Sequence, residues 1–245
     1  MKIVTIANQK GGTAKSTTAA ALTQAAVKRK QRVLAIDMDP QGNLSFFLGA
    51  DTNRSGSYEL LTGENPKQTM QEVQGGTVIS ASCDLPTLKT EPGSARRLQK
   101  ALSKLENDFD ICIIDTPPTA GEMQYNALQA ADSLLIPVHA DIVGLQGLYQ
   151  IVDTARQIQQ SNKKLKIMGY ILTEYSGRSI IERQMEETIE AKASEMHIPF
   201  LQSIRKAVAV REAQTLQKSL YEYAPKSNPA IDYMELFKKI IKNSD

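Results

Sequence analysis

The segment IVTIANQKGGTAKST, residues 3–17, decides the fold prediction for this chain. The β-branched residues at its start are typical of a short buried strand. A turn with the sequence lysine–glycine–glycine and a second lysine follow, and a helical pattern begins near residue 16. Glycines let consecutive backbone N–H groups turn toward a phosphate. The N-terminus of a helix adds unpaired donors and the positive end of its dipole. The segment therefore predicts a phosphate-binding loop between a strand and a helix.

Two side chains of this loop have defined predicted roles. We expect Lys15 to bridge the β- and γ-phosphates of ATP and the Ser16 hydroxyl to ligate Mg²⁺. The strict P-loop pattern requires glycines where Gln9 and Ala14 stand, so a chance glycine-rich turn is the alternative interpretation of the loop alone. The predicted nucleotide-binding set is Lys10, Gly11, Gly12, Thr13, Ala14, Lys15, Ser16 and Thr17.

Two acidic segments strengthen the nucleotide interpretation. DMDPQGN (residues 37–43) follows the second predicted strand, and IIDTPP (residues 113–118) closes a later one. Because ligands of open α/β sheets bind beyond the carboxyl ends of parallel strands, both segments should converge on the loop. We expect Asp115 to hold hydrated Mg²⁺, and Asp39, with Asp37 behind it, to position the water that attacks the γ-phosphate. Asp39 is also a candidate metal ligand. A lone aspartate after a strand is more often a turn or a helix cap.

Short apolar runs alternate with helical patterns along the whole chain. The runs at residues 111–115 and 133–138 are continuously apolar, as in parallel strands buried on both faces. The alternation predicts an α/β fold with a mostly parallel, twisted β-sheet and helices on both faces. The 245 residues should form a single domain, residues 1–245. The polar, glycine-rich stretch 53–76 is interpreted as a surface excursion with short helices.

Composition limits the remaining classes of function. The net charge is only +2, so a nucleic-acid-binding surface would have to be a local basic patch. Cys83 and Cys112 have no partner at metal-binding spacing, which argues against a zinc site or a disulfide framework and favours the cytoplasm. No apolar run approaches the roughly 20 residues that span a bilayer.

The motifs together resemble the ParA/Soj-type partition ATPases, P-loop NTPases of the deviant-Walker-A group that also contains the MinD proteins. Lys10 stands at the position of the group's signature lysine in KGGxxK[ST], DMDPQGN matches its second acidic motif, and IIDTPP matches its Walker B motif. The likeness continues through PVHADIVGLQGL (residues 137–148), ILTEYSGR (171–178) and EYAPKSNPAIDYMELFKKI (222–240).

The resemblance implies an ATPase of low intrinsic activity that forms an ATP-dependent homodimer. Lys10 of one subunit would reach the phosphates bound by the other. The dimer would bind nonspecific DNA on the nucleoid, and a ParB-like centromere-binding protein on the cargo would stimulate hydrolysis, giving plasmid partition or chromosome segregation. Pro225 and Asn228 would help to hold the adenine. The first strand starts at residue 2 or 3, so we expect no N-terminal helix-turn-helix extension and no operator-specific repression.

The chain departs from the family pattern in two places. Ala14 and Ser16 replace the commoner glycine and threonine; serine keeps the hydroxyl, and alanine is acceptable if its dihedrals are helical. The segment IRKAVAVREA, residues 204–213, replaces an IPRNVRLSEA-like sequence, with Lys206 at the position of its first arginine.

Nonspecific DNA binding requires several cations on one face. By resemblance the candidates are Arg178, Lys206 and Arg211. Their neighbours are two further arginines, Arg183 and Arg205, and three acids that dilute the patch, Glu182, Glu186 and Glu187. An ordinary solvated charged surface is the alternative.

Three other functions compete. A MinD-like membrane-positioning ATPase needs a C-terminal amphipathic helix on lipid; the tail carries a suitable stripe, which more often packs in a core, so no stable membrane association is expected. The stripe is Tyr233, Leu236, Phe237, Ile240 and Ile241. A ligase or an iron–sulfur ATPase is the second rival, although Cys112 lies inside a strand and is badly placed for a cluster. A ParA-like positioner of a protein cargo is the third, and the sequence does not separate it from DNA partition.

Overall fold

The structure of the protein, a computed structural model, describes residues 1–242. One eight-stranded sheet runs through this part of the chain. Its strands are β1 (Lys2–Ile6), β2 (Val33–Asp37), β3 (Met70–Val73), β4 (Gly76–Ile79), β5 (Ile111–Asp115), β6 (Ser133–Val138), β7 (Lys166–Tyr175) and β8 (Phe200–Arg205).

The strand order across the sheet is β3-β4-β2-β5-β1-β6-β7-β8. Every pair is parallel except β3 with β4, which pair antiparallel in a hairpin at one edge. The prediction of a mostly parallel sheet is therefore confirmed. Sequence analysis missed β3, because its four residues, MQEV, include two polar side chains and give no periodic signal.

The helices are α1 (Lys15–Lys28), α2 (Asn43–Leu48), α3 (Ser57–Thr62), α4 (Arg97–Leu102), α5 (Glu122–Ala130), α6 (Ile142–Ile158), α7 (Ile180–Glu195), α8 (Val208–Thr215), α9 (Leu220–Tyr223) and α10 (Asn228–Lys242). They cover both faces of the sheet, as predicted. Successive side chains of a strand point to opposite faces of the sheet, so a buried strand contributes to the core on both faces. In β5, Ile111 and Ile113 pack with α1 and α10, whereas Cys112 and Ile114 pack on the side of α4 and α5.

The apolar stripe of α10 is part of the core. Tyr233, Leu236, Phe237 and Ile240 are at most 1% exposed and pack against α1 and β8, and Ile241 is partly buried beside them. The stripe that a membrane-bound helix would need is therefore already buried. No helix within residues 1–242 is long and apolar enough to cross a bilayer.

The strand register places the functional edge of the sheet. Asp115 at the end of β5 is level with Ile6 of β1 on one side and with Asp37 of β2 on the other. The three segments that sequence analysis singled out thus leave the sheet side by side, at its carboxyl edge.

Candidate nucleotide-binding site

The loop between β1 and α1 closes on its own backbone. The Lys15 ammonium donates a hydrogen bond to the carbonyl oxygen of Lys10 at 3.0 Å, and the Thr13 hydroxyl donates to the same oxygen at 3.3 Å. Thr173, at the end of β7, donates its hydroxyl to the carbonyl oxygen of Thr13 at 3.2 Å. Gly12 has a left-handed φ of 77°, which glycine adopts without a steric cost. These contacts hold the loop in a cradle that is open to solvent at residues 10–12.

Ala14 does not meet the condition, helical dihedrals, under which sequence analysis judged alanine acceptable at this position. It has φ 61° and ψ 33°, a left-handed conformation rather than a helical one. A residue with a side chain pays about 1–2 kcal/mol for this geometry, which explains why glycine suits the position. Ala14 is the N-cap of α1, and its methyl group cannot accept a hydrogen bond from the first turn. The N–H groups of that turn are therefore free to bind an anion.

Asp115 is fully buried, and neither oxygen of its carboxylate has a hydrogen-bond partner among residues 1–242. Burial, followed by the charge of Asp37, raises its pKa well above the ordinary value, while the neighbouring Ser16 hydroxyl and Lys15 ammonium act in the opposite direction. A buried, unpaired carboxylate is costly unless a cation joins it.

This donor set fits Mg²⁺. The ion prefers one or two carboxylates, with water and substrate phosphates completing its shell, and Ser16 and Asp115 supply a hydroxyl and a carboxylate side by side. Within the part of the chain that the structure describes, no cluster of three or more His, Cys, Asp or Glu side chains could hold a metal ion by itself. The geometry favours a metal site that bound phosphate completes.

Asp37 and Asp39 have different environments. Asp37 accepts hydrogen bonds from the backbone and the hydroxyl of Ser45, both at 2.8 Å, and from the backbone N–H of Asp39 at 3.1 Å. Its complete burial raises its pKa to about 6. The Ser45 hydroxyl accepts in turn from the N–H of Ala81, so Asp37 anchors the connection after β2 to the end of β4. Asp39 is 6% exposed and lines the cavity beside the loop. Its role in positioning a water molecule stays a prediction.

The cavity beside the loop has a volume of about 380 Å³, within the range of small-ligand sites. It brings together all the predicted loop residues from Gly11 to Thr17 and Asp39. Sequence analysis gave no individual role to its other lining residues, although all but Phe47 lie in the motifs quoted above. These residues are Gln41, Asn43, Phe47, Pro118 and Glu174. Burial of Lys15 lowers its pKa, and the nearby carboxylates of Asp115 and Asp39 partly oppose this effect.

Helix α6 supports the loop from behind, and sequence analysis missed its role. A Cβ atom at Gly147 would lie 2.3 Å from the side-chain oxygen of Asn8 and 3.0 Å from Cβ of Lys10, so only glycine allows this approach. Gln9 donates from its amide to Gln124 at 2.8 Å and to Thr154 at 2.7 Å. Gly147, in the segment GLQGL, was the sequence signal that could have indicated this close contact between α6 and the loop.

Lys10 lies exposed at the open side of the loop. Its position leaves the side chain accessible from outside the subunit. The resemblance implies that Lys10 contacts the phosphates bound by a second subunit. This role stays a prediction.

Pro225 and Asn228 are the predicted adenine contacts. Pro225 lies in the connection before α10 and Asn228 is the first residue of that helix, and neither lines the nucleotide cavity or the smaller cavity adjoining it. The residues that line the smaller cavity come from the loop, the end of β7, the segment around the end of β8 and α10. They are Ala14, Thr17, Glu174, Ile204, Arg205, Lys206, Ala207, Val210, Arg211 and Tyr233. The assignment of Pro225 and Asn228 stays a prediction.

The candidate DNA-binding residues are all exposed, but their surroundings differ. Lys206 and Arg211 both line the smaller cavity, whereas Arg178 lies outside it, in the connection between β7 and α7. The Lys206 ammonium lies 3.4 Å from the carboxylate of Glu174. Arg205 is engaged by Asp232 through its side chain and its backbone N–H, so it has a structural role.

Comparisons with known proteins identify the family of the chain. A family model described as an AAA domain matches residues 1–167. The chain is 32% identical over 240 residues to the chromosome-partitioning ATPase Soj of Thermus thermophilus, covering 97% of this chain and 94% of the relative. It is 33% identical over 253 residues to the chromosome partitioning protein ParA of Caulobacter vibrioides, covering 98% and 94%.

A solved structure has the same fold. Cobyrinic acid a,c-diamide synthase of Mycobacterium smegmatis, with bound ADP and magnesium, aligns with a TM-score of 0.84 and 30% identity over 99% of this chain and 95% of that one. The relatives named Soj and ParA match nearly end to end and at about a third of all positions. The chain therefore belongs to the ParA/Soj-type ATPases of the deviant-Walker-A group.

Proposed function

We propose that this protein hydrolyses ATP to drive the partition of DNA, as a dimer that forms with ATP and binds DNA without sequence specificity. The observation that carries the hydrolysis is the fully buried carboxylate of Asp115, which lies close to Ser16 and Lys15 of the phosphate loop and accepts no hydrogen bond within residues 1–242. A structural aspartate in this position would be hydrogen-bonded, as Asp37 is. Two relatives are named as chromosome-partitioning proteins, which supports the assignment of DNA as the cargo.

The chain's own residues can perform the reaction. Lys15 and the free N–H groups at the start of α1 bind the phosphates, and Ser16 and Asp115 would hold Mg²⁺. When bound, that ion would neutralise charge that develops on the phosphates. Asp39 accepts a hydrogen bond from water and orients its oxygen toward the γ-phosphorus; the bond from that phosphorus to ADP breaks, giving ADP and phosphate.

The exposed position of Lys10 supports the proposal of a dimer. A lysine that reaches the phosphates of a second copy would make the interface depend on ATP, so hydrolysis would loosen the dimer. A slow intrinsic rate, stimulated by a ParB-like centromere-binding protein, would then set how long the dimer stays on DNA. We place this cycle in the cytoplasm, on the nucleoid.

The proposal is tested with the variant Asp39→Ala. Because Asp39 orients water rather than binding phosphate, we expect the variant to bind ATP, to hydrolyse it at least 100-fold more slowly, and to elute as a dimer in size-exclusion chromatography with Mg²⁺-ATP. Added DNA of random sequence should shift that dimer to a larger complex. The matched control is Asp108→Ala, a half-buried aspartate that pairs with Lys67 and lines neither of the two cavities near the loop.

Each outcome decides one part of the proposal. Normal hydrolysis by Asp39→Ala would exclude the catalytic assignment. If the variant with bound ATP elutes as a monomer, the ATP-dependent dimer is excluded. If it elutes as a dimer that does not bind DNA, the result favours the positioning of a protein cargo.

A further inference from the structure

A third cavity lies between the second half of α7 and the start of β8. Its volume is about 490 Å³, within the range of small-ligand sites, and it shares no lining residue with the two cavities beside the phosphate loop. Because β8 begins at Phe200, which lines the cavity, the third cavity lies toward the end of β8 opposite the nucleotide site. The binding of ATP therefore does not account for it.

The backbone beside the third cavity is irregular, and the irregularity brings two aromatic rings together. Tyr170 of β7 pairs with Phe200 of β8, but the next pair joins Ile171 to Gln202, so one residue of β8 is bulged out of the ladder. A Cβ atom at Gly169 would lie 2.4 Å from the carbonyl oxygen before Phe200, so only glycine allows the two strands this approach. Bulges redirect side chains and occur often beside functional sites. Here the ring centroids of Tyr170 and Phe200 are 5.2 Å apart.

The hydroxyl group of Tyr170 is an unused hydrogen-bonding group. Its side chain is only 2% exposed and lines the third cavity, yet the hydroxyl has no hydrogen-bond partner within residues 1–242. Tyrosine hydroxyls that are buried usually find one. Burial, followed by the charges of Glu190 and Glu186, raises the pKa of Tyr170 to about 12. The hydroxyl is therefore protonated at neutral pH and offers a donor and an acceptor to a ligand.

The charge at the third cavity is negative and uncompensated. Glu190 lines the cavity, and its carboxylate forms no ion pair or hydrogen bond within the described part of the chain. Two other acids of α7 are engaged, since Glu186 accepts from the Tyr175 hydroxyl and Glu195 pairs with Lys192. Among residues 1–242, no lysine or arginine lines the cavity. The ligand that fits this charge is a cation.

The end of α7 fixes the remaining wall of the third cavity. His197 follows the helix with a left-handed φ of 59°, and its N–H donates to the carbonyl oxygen of Ser194 at 2.9 Å. The N–H of Ile198 donates to the carbonyl oxygen of Ala193 at 2.8 Å. These two bonds form a Schellman motif, which closes the helix. The wall is therefore held by backbone hydrogen bonds and needs no ligand to form it.

We propose that the third cavity binds a small organic cation of the alkylguanidinium or alkylammonium class. The Glu190 carboxylate would pair with the charge, and the Tyr170 hydroxyl would accept a hydrogen bond from an N–H group of the ligand. Phe200, which is 40% exposed, would contribute a cation–π contact, because the face of an aromatic ring attracts cations. The inference is independent of the proposed function, since it uses none of the residues of the nucleotide site.

The affinity should be modest, because the cavity is partly open to water. A cation–π contact at an exposed site changes an equilibrium by a factor of about two to five. A charge-assisted hydrogen bond adds a factor of about ten. We expect dissociation constants on the order of 1 mM for a single charged group, and salt should weaken the binding.

The test is an NMR titration of the whole isotope-labelled chain with butylguanidinium. The backbone amides of Tyr170 and Phe200 report on the third cavity, and the amide of Gly12 reports on the phosphate loop, whose acids also attract cations. We expect saturable shifts at Tyr170 and Phe200, and an affinity at least tenfold lower for butylurea, an uncharged molecule of nearly the same shape. Equal affinities for the two molecules, or shifts confined to Gly12, would overturn the proposal.

Substitutions assign the contacts. Glu190→Gln should lower the affinity for butylguanidinium about tenfold, and Tyr170→Phe, which removes only the hydroxyl, about threefold. The matched control is Glu187→Gln, which removes the same charge from an exposed position on α7 that does not line the third cavity. It should bind as the wild type does. Thermal unfolding checks that each variant is folded, and equal affinities of Glu190→Gln and Glu187→Gln would overturn the proposal.

A last arm separates a free small molecule from a side chain of a peptide. The peptide Gly-Gly-Arg-Gly-Gly carries the same guanidinium group as butylguanidinium within a longer backbone. We expect the free cation to bind at least as tightly as the peptide, because the cavity has the size of a small ligand. A tenfold preference for the peptide would overturn the assignment to a small molecule.

Discussion

The two charged regions of the molecule are built in opposite ways. At the carboxyl ends of β1, β2 and β5, Lys15, Asp39 and Asp115 are nearly or completely withdrawn from water. At the ends of β7 and β8, Arg178 and Lys206 are exposed, and Lys206 is paired with another side chain. The difference teaches that the fold shields the charges of the first region from water, whereas solvent and salt screen those of the second. Substitutions should therefore have large, local effects at the first and smaller, salt-dependent effects at the second.

The largest expected effect is at Lys15. Lys15→Gln removes a buried cation that binds phosphate, and the loss of such charge-assisted hydrogen bonds should weaken ATP binding by about 100-fold or more. Isothermal titration with an ATP analogue and Mg²⁺ measures it. Lys28→Gln, an exposed lysine at the other end of α1, is the control and should bind normally. If Lys15→Gln bound ATP as tightly as the wild type, a phosphate-binding role of Lys15 would be excluded.

The exposed region comes next. Arg178→Glu combined with Arg211→Glu should lower DNA retention at least tenfold in low salt and reduce the salt dependence of binding, because each lost phosphate contact removes about one unit of slope. Filter binding at several salt concentrations measures both quantities. ATP affinity should be preserved, which needs measurement because Arg211 lines the smaller cavity.

A double reversal elsewhere is the control for this pair. Lys100→Glu with Lys104→Glu makes the same change in net charge near α4, before β5 and away from the candidate patch. DNA retention equal to that of the control would exclude Arg178 and Arg211 as contacts.

A smaller effect is expected at Asp115 in the free protein, on stability. The folded pKa of Asp115 is raised above its value in the unfolded chain, about 3.9. Its titration thus favours folding at low pH, and this contribution is lost as the pH rises through the folded pKa. Asp115→Asn should therefore be more stable than the wild type at neutral pH, by on the order of 1 kcal/mol, with the difference shrinking toward pH 5.

Denaturant unfolding between pH 5 and 8 checks this sign. Mg²⁺-ATP should stabilise the wild type more than Asp115→Asn, because the variant lacks the carboxylate for the ion. A wild type that is the more stable protein at neutral pH without nucleotide would show that the buried carboxylate is paired after all.

The smallest expected effect compares two positions of the loop. Gly12 and Ala14 both have left-handed backbones, at φ 77° and 61°. Ala14→Gly should relieve strain at a small entropic cost and stabilise the protein by up to about 1 kcal/mol, whereas Gly12→Ala should destabilise it by a similar amount. Thermal unfolding of the two variants without nucleotide measures the signs, and equal signs would contradict the conformational argument.

Much of this molecule could be predicted from local signals. The phosphate loop follows from glycines and lysines at a strand–helix junction, and the parallel sheet from apolar runs such as that of β5. Strand β3 gave no such signal because an edge strand of four residues owes its existence to its partner. The sequence left the dihedrals of Ala14 open for the same reason, because they accompany the closure of the loop on the Lys10 carbonyl.

The sequence by itself determined the chemistry: a lysine, a serine hydroxyl and aspartates at the ends of predicted strands. Only the tertiary structure decided the environment of each aspartate, by hydrogen-bonding Asp37 to Ser45 and leaving the oxygens of Asp115 without partners within residues 1–242. It also decided that Glu174 lies between the two cavities and next to Lys206, 32 positions apart in the chain. The physical reason is that residue type and spacing fix which groups a strand end can present, whereas burial and pairing depend on neighbours that come from other strands.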